Sequence, residues 1–288
     1  MLVQQILNGL TNGSLYALMA VGVTMIYKSL GMLNFAHGDI MMLGTFICLS
    51  LINMDLPIFA ALLIAVAATA VIGFALERLV LRQVEFSSFT NLLIATVGIS
   101  YIFRNGAMVI FGTNPQKFPS MFSQTPFDVA GFKVTPQSLG IIAVSLLLIV
   151  ALHLFFTKVK VGKCMELASS NAESAAMMGI NVSHMRFLTF GISAGLACIA
   201  GVLIAPLTYA RADMSASIGL KAFAAAILGG IGNLWGSLFG GLILGIVEAL
   251  GATYVSSAYR DAFSFLVLFI VLFLKPTGLL NKKIENKL

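Results

Sequence analysis

Long apolar segments separated by short polar ones dominate the chain. Eight of them are apolar over about twenty residues, the length a helix needs to cross about 30 Å of hydrocarbon. They lie at 5–27, 36–54, 57–76, 90–112, 137–156, 187–210, 232–254 and 259–275. A ninth segment, 218–231, is shorter and ends in the glycine-rich run LGGIGN, which predicts a short or broken helix covered by protein or water. The pattern predicts an all-α fold, a polytopic membrane helix bundle.

Composition supports a lipid-embedded protein. Hydrophobic residues make up 59% of the 288 residues and charged residues 10%, whereas soluble proteins average about 45–50% and about 25%. These values exclude a soluble enzyme, a nucleic-acid-binding domain and a disulfide-stabilised scaffold. We therefore interpret residues 1–288 as a single transmembrane domain that lies in a lipid membrane and has no nucleic-acid partner.

The distribution of basic residues predicts the orientation in the membrane. Residues 1–27 carry no charge and Lys28 is the first charged residue, which favours a retained first span over a cleaved signal. With residue 1 outside and nine crossings, four of the 17 Lys and Arg residues fall in outside loops. These are Lys117, Lys133, Arg211 and Arg260, while eleven others lie near inside ends. The asymmetry fits the positive-inside rule. If 218–231 is re-entrant, eight spans instead place both termini inside.

The loop 157–186 is the most informative polar stretch, and we expect it on the cytoplasmic side. Residues 172–178 favour a short helix, and Gly179 is suited to its C-terminal cap. Ala172, Ala175, Ala176 and Met178 give this helix a small apolar face. Such a face is suited to a groove of another protein. The alternative is a solvated connecting helix.

Polar residues also interrupt the apolar segments. Asn34, His37 and Asp39 lie between the first two spans. Asn34 is a candidate helix N-cap, and Asp39 in the first turn would suit the helix dipole. Alternatively, these residues line a transport cavity, because polar groups in membrane segments usually face a polar interior.

Three charged residues fall within apolar segments. Glu248 lies deep in its segment, so it is expected to pair, to snorkel or to line a cavity. Arg104 is expected to extend outward to the interface, and Lys221 to lie at the outer interface.

Motifs for catalysis or cofactor binding were not found. The chain has no GxxxxGK[ST], HExxH or GxSxG sequence. The three histidines, His37, His153 and His184, have no partners at metal-ligand spacing. We therefore expect neither an enzyme nor a cofactor-binding chain, and we expect no ATP bound by this polypeptide itself.

Several segments resemble one transporter family. They are NFAHGDIMMLG at 34–44, AESAAMMGI at 172–180 and GLKAFAAAILGGIGNLWGSLFGG at 219–241, with further likeness at 8–27 and 77–82. Together they are similar to the permeases of branched-chain amino acid ABC importers, of the LivH type. The resemblance follows nearly the whole chain in order. Asp39 and Arg104 depart from it, since Glu and an uncharged polar residue are more usual there.

The resemblance implies a multi-pass permease of the bacterial inner membrane that works by alternating access. Its implied partners are a second permease subunit, expected to be a homologous but different chain, two cytoplasmic ATPase subunits and a periplasmic substrate-binding protein. ATP would be bound by the ATPases. The family's coupling loop corresponds to Glu173, Ala175, Ala176 and Gly179, and Asn34, His37, Gly38, Asp39 and Glu248 are the candidate substrate-pathway residues.

Two other functions remain compatible with the residues. One is an ABC permease for another small solute, such as urea, a short amide or a different amino acid. The other is an ion-coupled secondary transporter that works without an ATPase and uses Glu248 as its coupling carboxylate.

Overall fold

The computed structural model is a helical bundle, described here for residues 2–84, 89–123, 125–129 and 132–280. The first helices are α1 (Leu2–Leu30), α2 (His37–Ile52), α3 (Ile58–Leu76), which continues as a π-helical turn Glu77–Leu81, and α4 (Phe89–Phe111). They are followed by α5 (Pro136–Lys158), α6 (Lys160–Ser170) and α7 (Ala172–Met177). The last are α8 (Val182–Thr208), α9 (Met214–Gly229), α10 (Leu234–Tyr254) and α11 (Arg260–Leu274). Between α4 and α5, strands β1 (Phe127–Val129) and β2 (Phe132–Val134) form an antiparallel pair.

The all-α membrane bundle expected from the sequence is confirmed. Within the described ranges, seven helices are long and apolar enough to cross a membrane. The remaining apolar helices, α2 and α9, have 16 residues each, or about 24 Å at 1.5 Å per residue. The segment 36–54 is thus shorter as a helix than expected. The segment 218–231 is a short helix as expected, although α9 begins four residues earlier, at Met214.

Helix α2 begins at the middle of the bundle rather than at its edge. After Leu30, Gly31 adopts a left-handed conformation with φ of 74°, and the chain turns back along α1. The imidazole of His37 packs against Gly22, eight residues or about 12 Å before the end of α1. Asp39 is hydrogen-bonded to Ser100, the central residue of α4. Residues 31–36 are therefore an irregular segment that penetrates the bundle and is covered by protein, as a membrane requires.

Helix α9 begins close to the start of α2. A Cβ atom added to Gly38 would lie 2.4 Å from the carbonyl oxygen of Ser215 and 3.1 Å from the Cα of Gly219. The two backbones therefore touch, which only glycine permits here. The N-terminal ends of two short helices thus meet at the centre of the bundle.

The succession α1–α4 recurs in α8–α11. Each set has a long helix, a 16-residue helix and two further helices. Helix α1 packs against α9 and α10, as α8 packs against α2 and α3. The pairs α2 with α4 and α9 with α11 correspond in the same way. Because one additional span, α5, lies between the two sets, they cross the membrane in opposite directions, and the halves form an inverted repeat.

The core is centred on α1 and α8, which are in direct contact. Most of α1 from Gly13 to Ile26 is buried, and so is most of α8 from Thr189 to Ala205. By contrast, α4, α5 and α11 carry many exposed large apolar side chains. These outer helices present the surface that lipid or another subunit covers.

Candidate functional site

A buried carboxylate, Asp39, links α2 to α4. Its side chain is 1% exposed, accepts a hydrogen bond from Ser100 and lies 3.3 Å from the Nε atom of Arg104. Ser100 and Arg104 are four residues apart, so they share one face of α4. An unpaired charge in a membrane costs at least about 2.5–3.5 kcal/mol, which this pairing offsets. Arg104 is therefore not simply extended toward the interface, as the sequence suggested.

The same guanidinium reaches the start of α9. The Nε atom of Arg104 lies 3.2 Å from Ser215 Oγ, and that hydroxyl donates to the carbonyl of Ala212. The side chain of Arg104 remains 26% exposed. Arg104 therefore connects three helices and still contributes to an open surface.

That surface is a groove of about 220 Å³ between α4 and α9. Its polar members are Ser100, Arg104 and Ser215, and its other side chains are largely apolar. The latter include Phe35, Val97, Tyr101, Leu220 and Phe223. The groove thus combines one cation with an apolar wall.

Asn34, His37 and Gly38 are buried beside this groove rather than exposed in it. The N-cap of α2 is Ala36, so the assignment of Asn34 as the cap is wrong. Asn34 instead accepts a hydrogen bond from the amide of Ala36, which stabilises the turn before the helix. Its Nδ2 and both ring nitrogens of His37 have no hydrogen bond of ordinary geometry in the described part of the chain, although the backbone of Met19 approaches the imidazole. Asp39 does lie in the first turn, as expected.

Glu248 is at the centre of a second network, on the other half of the molecule. It is fully buried and accepts hydrogen bonds from Tyr16 at 3.1 Å, Lys221 at 3.0 Å and Ser264 at 3.1 Å. The guanidinium of Arg260 binds the same carboxylate. Four helices, α1, α9, α10 and α11, therefore meet at one side chain.

Lys221 belongs to this network and is 5% exposed, so it is buried among the helices. The ammonium lies 2.7 Å from Asp261 as well as 3.0 Å from Glu248. The ring of Tyr16 covers it at 5.5 Å. Two basic and two acidic side chains thus balance one another.

The serine and tyrosine partners of these carboxylates were missed in the sequence. A usable signal exists, because Ser100 with Arg104 and Arg260 with Ser264 each have a spacing of four residues on an outer helix. An arginine and a serine on one helix face can bind a carboxylate on a neighbouring helix. The spacing does not identify which carboxylate is bound.

The loop 157–186 contains the expected short helix. Asn171 caps α7 by accepting from the amide of Ser174, and Gly179 follows its end with φ of 80°. The amide of Ile180 donates to the carbonyl of Ala175, which closes the turn. The start of the helix and the turn at Gly179 agree with the prediction, whereas the helix ends at Met177, one residue earlier than expected.

Helix α7 presents most of its side chains to solvent. Ala175 is buried, whereas Ala172, Glu173 and Ala176 are exposed, and Met177 and Met178 are 81% and 73% exposed. The helix packs against α6 and α8, and α6 contacts α1, α5 and α8. A displacement of α7 would therefore reach both central helices through direct packing. Within the described residues, no group of three or more His, Cys, Asp or Glu side chains could hold a metal ion.

The similarity to known proteins extends over almost the whole chain. Residues 5–272 match the sequence family described as branched-chain amino acid transport system / permease component. The chain is 34% identical to the high-affinity branched-chain amino acid transport system permease protein LivH of Salmonella typhimurium, over 97% of this chain and 95% of that protein. It is 33% identical to BraD of Pseudomonas aeruginosa, a permease protein described in the same words, with the same coverage.

More distantly related proteins also align with most of the chain. The ribose import permease protein RbsC of Haemophilus influenzae is 25% identical, over 93% of this chain and 84% of that protein. Among solved structures, PsaBC from Streptococcus pneumoniae in complex with Fab has a TM-score of 0.54 at 14% identity, covering 94% and 91% of the two chains. That likeness concerns the fold alone. The match over residues 5–272 and the identities of 33–34% place the chain in the family of branched-chain amino acid transport system permease components.

Proposed function

We propose that the chain is the transmembrane permease subunit of an ATP-binding-cassette importer that moves branched-chain amino acids into the cytoplasm. The observation that carries this proposal is the family match, which extends over residues 5–272. Permeases named for this transport align with 97% of the chain and with 95% of their own length. The likeness therefore extends along nearly the full length of such a permease rather than over one shared segment.

The complete transporter would contain four further components. A second permease subunit, homologous but different in sequence, would complete the membrane part, and two ATPase subunits would bind at the cytoplasmic side. A periplasmic binding protein would deliver the substrate from outside. The assembly would lie in the inner membrane of a bacterium, with ATP bound only by the ATPases.

Helix α7 would couple the ATPases to the membrane part. Glu173 and Ala176 are exposed for contact with a partner, while Ala175 and the turn at Gly179 hold the helix in place. The packing of α6 and α7 against α1 and α8 provides the mechanical connection. ATP-driven closure of the ATPases would then change which side of the bundle is open, since contacts that differ between two states shift their equilibrium.

The substrate pathway would pass beside the start of α2. Asn34, His37, Gly38 and Asp39 are the residues of this segment, and Glu248 is the candidate from the other half. All five are buried in this arrangement, so exposure to substrate would require another state of the cycle. The buried Nδ2 atom of Asn34, which has no hydrogen-bond partner among the described residues, favours such a change, because buried polar groups are normally hydrogen-bonded.

Replacing Glu173 with Ala tests the coupling role. In proteoliposomes that contain the assembled transporter, we expect the substitution to abolish ATP-dependent leucine uptake, because Glu173 is placed at the ATPase contact. Expression and membrane insertion should be unchanged, since the side chain is exposed and forms no hydrogen bond or ion pair with the described residues.

The matched control is Glu166→Ala on the adjacent helix α6. Glu166 forms only a partly exposed ion pair with Lys28 at 3.6 Å, and such pairs contribute about 0–1 kcal/mol. Uptake should therefore persist in this variant. Normal ATP-dependent uptake by the Glu173→Ala transporter would contradict the coupling assignment.

An ion-coupled secondary transporter using Glu248 is less well supported. A coupling carboxylate must bind and release an ion, whereas Glu248 is held by Lys221 and Arg260. Uptake by the purified chain under an ion gradient, without an ATPase, would favour that alternative. Transport of another small solute is distinguished by competition, since uptake of leucine should be inhibited by isoleucine and valine and not by urea or ribose.

A further inference from the structure

The groove between α4 and α9 contains a cation with unused binding capacity. In the described part of the chain, Arg104 forms hydrogen bonds through Nε only, to Asp39 and Ser215. Its two terminal nitrogens, the pair that binds a carboxylate in a bidentate manner, have no such partner. The side chain is 26% exposed at the groove, so these donors can be reached from it.

The depth of Arg104 determines what can cover it. Arg104 lies seven residues, or about 10 Å, from the end of α4. Contact with acyl chains at that depth is costly for a guanidinium, and charged groups in membrane proteins face polar interiors or water-filled cavities. We therefore expect the groove to face an aqueous conduit rather than lipid.

The rest of the groove is suited to an apolar side chain. Phe35, Val97, Leu220 and Phe223 form its wall, and its volume is about 220 Å³. Asp39 compensates the charge of Arg104, so the site as a whole is neutral. A neutral site binds a zwitterion weakly. Weak binding suits a transport site, because the solute must be released from it as well as bound.

We propose that this groove is a transient binding subsite for an amino acid with an apolar side chain. The terminal nitrogens of Arg104 bind the substrate carboxylate, the apolar wall takes the side chain, and the ammonium group stays hydrated at the open side. The inference rests on the proposed function, because it gives that function a recognition site within the membrane. It assigns selectivity for the carboxylate to Arg104.

Protection of an engineered thiol tests the subsite. Leu220→Cys is introduced into a Cys164→Ser chain, since Leu220 is 47% exposed in the groove and the remaining cysteines, Cys48 and Cys198, are buried. The assembled transporter in proteoliposomes is treated with a water-soluble methanethiosulfonate, with and without nucleotide. We expect millimolar leucine to slow the reaction at least threefold in one nucleotide state. Isoamylamine, which lacks the carboxylate, should not slow it.

Two further variants separate binding from structure. Asp39→Asn combined with Arg104→Gln removes both charges, which avoids an unpaired buried ion; the reaction of Leu220→Cys should persist and protection by leucine should be lost. Arg104→Lys keeps the pair with Asp39 and should retain only part of the protection. Thr113→Cys, in the exposed segment after α4, should react equally with and without leucine.

Three outcomes would overturn the subsite. They are a Leu220→Cys thiol that is unreactive in every nucleotide state, a reactive thiol that leucine does not protect, and equal protection by isoamylamine. Each is compared with leucine uptake by the unsubstituted transporter. Uptake without protection refutes the subsite alone, whereas absence of uptake of any branched-chain amino acid refutes the proposed function.

Discussion

The charged side chains of two clusters inside this bundle compensate one another. Asp39 is paired with Arg104, and Glu248 is held by Lys221 and Arg260, with Asp261 as the second acid. Each pair joins two different helices, so each charge is neutralised only after those helices have packed together. Removing one partner of a buried pair is strongly destabilising, by about 3–5 kcal/mol, because the other charge is left without compensation.

Glu248→Gln should therefore destabilise the folded chain by about 3–5 kcal/mol. The substitution leaves Lys221 and Arg260 facing Asp261 alone, and that acid is 63% exposed. In a Cys164→Ser background, unfolding in detergent can be followed through Cys48 and Cys198, whose buried thiols react with a fluorogenic maleimide only when the bundle opens. The midpoint temperature of this reaction should fall.

The double variant Glu248→Gln with Lys221→Met is the control. It restores equal numbers of acidic and basic side chains, so the midpoint temperature should recover most of the loss. A double variant that is less stable than Glu248→Gln alone would show that charge balance is not what stabilises this region.

At the level of helices, the bundle depends on close backbone approaches. A Cβ atom added to Gly245 of α10 would lie 2.3 Å from the amide nitrogen of Gly13 in α1, and Gly38 of α2 meets α9 as closely. Small residues permit such contacts and are the usual basis of helix association in lipid. The glycines of the sequence thus determine which helices can be neighbours.

Gly38→Ala should separate the starts of α2 and α9. The new methyl group would lie 2.4 Å from the backbone oxygen of Ser215, which cannot rotate away. We expect a lower midpoint temperature in the thiol assay and reduced leucine uptake. Gly98→Ala in α4 is the matched control, because nothing lies within 4 Å of its added Cβ. Equal midpoint temperatures and equal leucine uptake in the two variants would contradict the close contact between α2 and α9.

The helices themselves could be predicted because crossing a membrane sets their length. The predicted segment 137–156, for example, agrees within two residues with α5. The starting depth of α2 could not be predicted, since it depends on contacts of His37 with α1 and of Asp39 with α4. The partners of Lys221 could not be predicted for the same reason: Glu248 and Asp261 are 27 and 40 positions away, and only the fold brings them together.

For the whole molecule, the inverted repeat and the connecting span α5 determine which loops face each side. Strands β1 and β2 precede α5, and α7 follows it. One crossing separates them, so they lie on opposite faces of the membrane. The positive-inside rule predicts that α7 lies on the cytoplasmic face, where the proposed contact with an ATPase would form.

Lys133→Cys and Met177→Cys test this arrangement in a Cys164→Ser background. Both positions are exposed. A membrane-impermeant maleimide added to spheroplasts should label Lys133→Cys only, and inverted vesicles should reverse the result. Labelling of both thiols from the same side would reject the topology, and external labelling of Met177→Cys would reject its role as a coupling element.

The contact between the starts of α2 and α9 affects whether cations can leak through the permease. Each helix start carries about half a positive elementary charge, and both starts lie near the bundle centre, with the charges of Asp39 and Arg104 cancelling beside them. The residual positive potential repels sodium ions and hydronium, but a zwitterion of zero net charge can orient its anionic end toward it. We therefore expect solute to pass without a parallel leak of cations, so that each opening of the conduit leaves the voltage across the membrane intact.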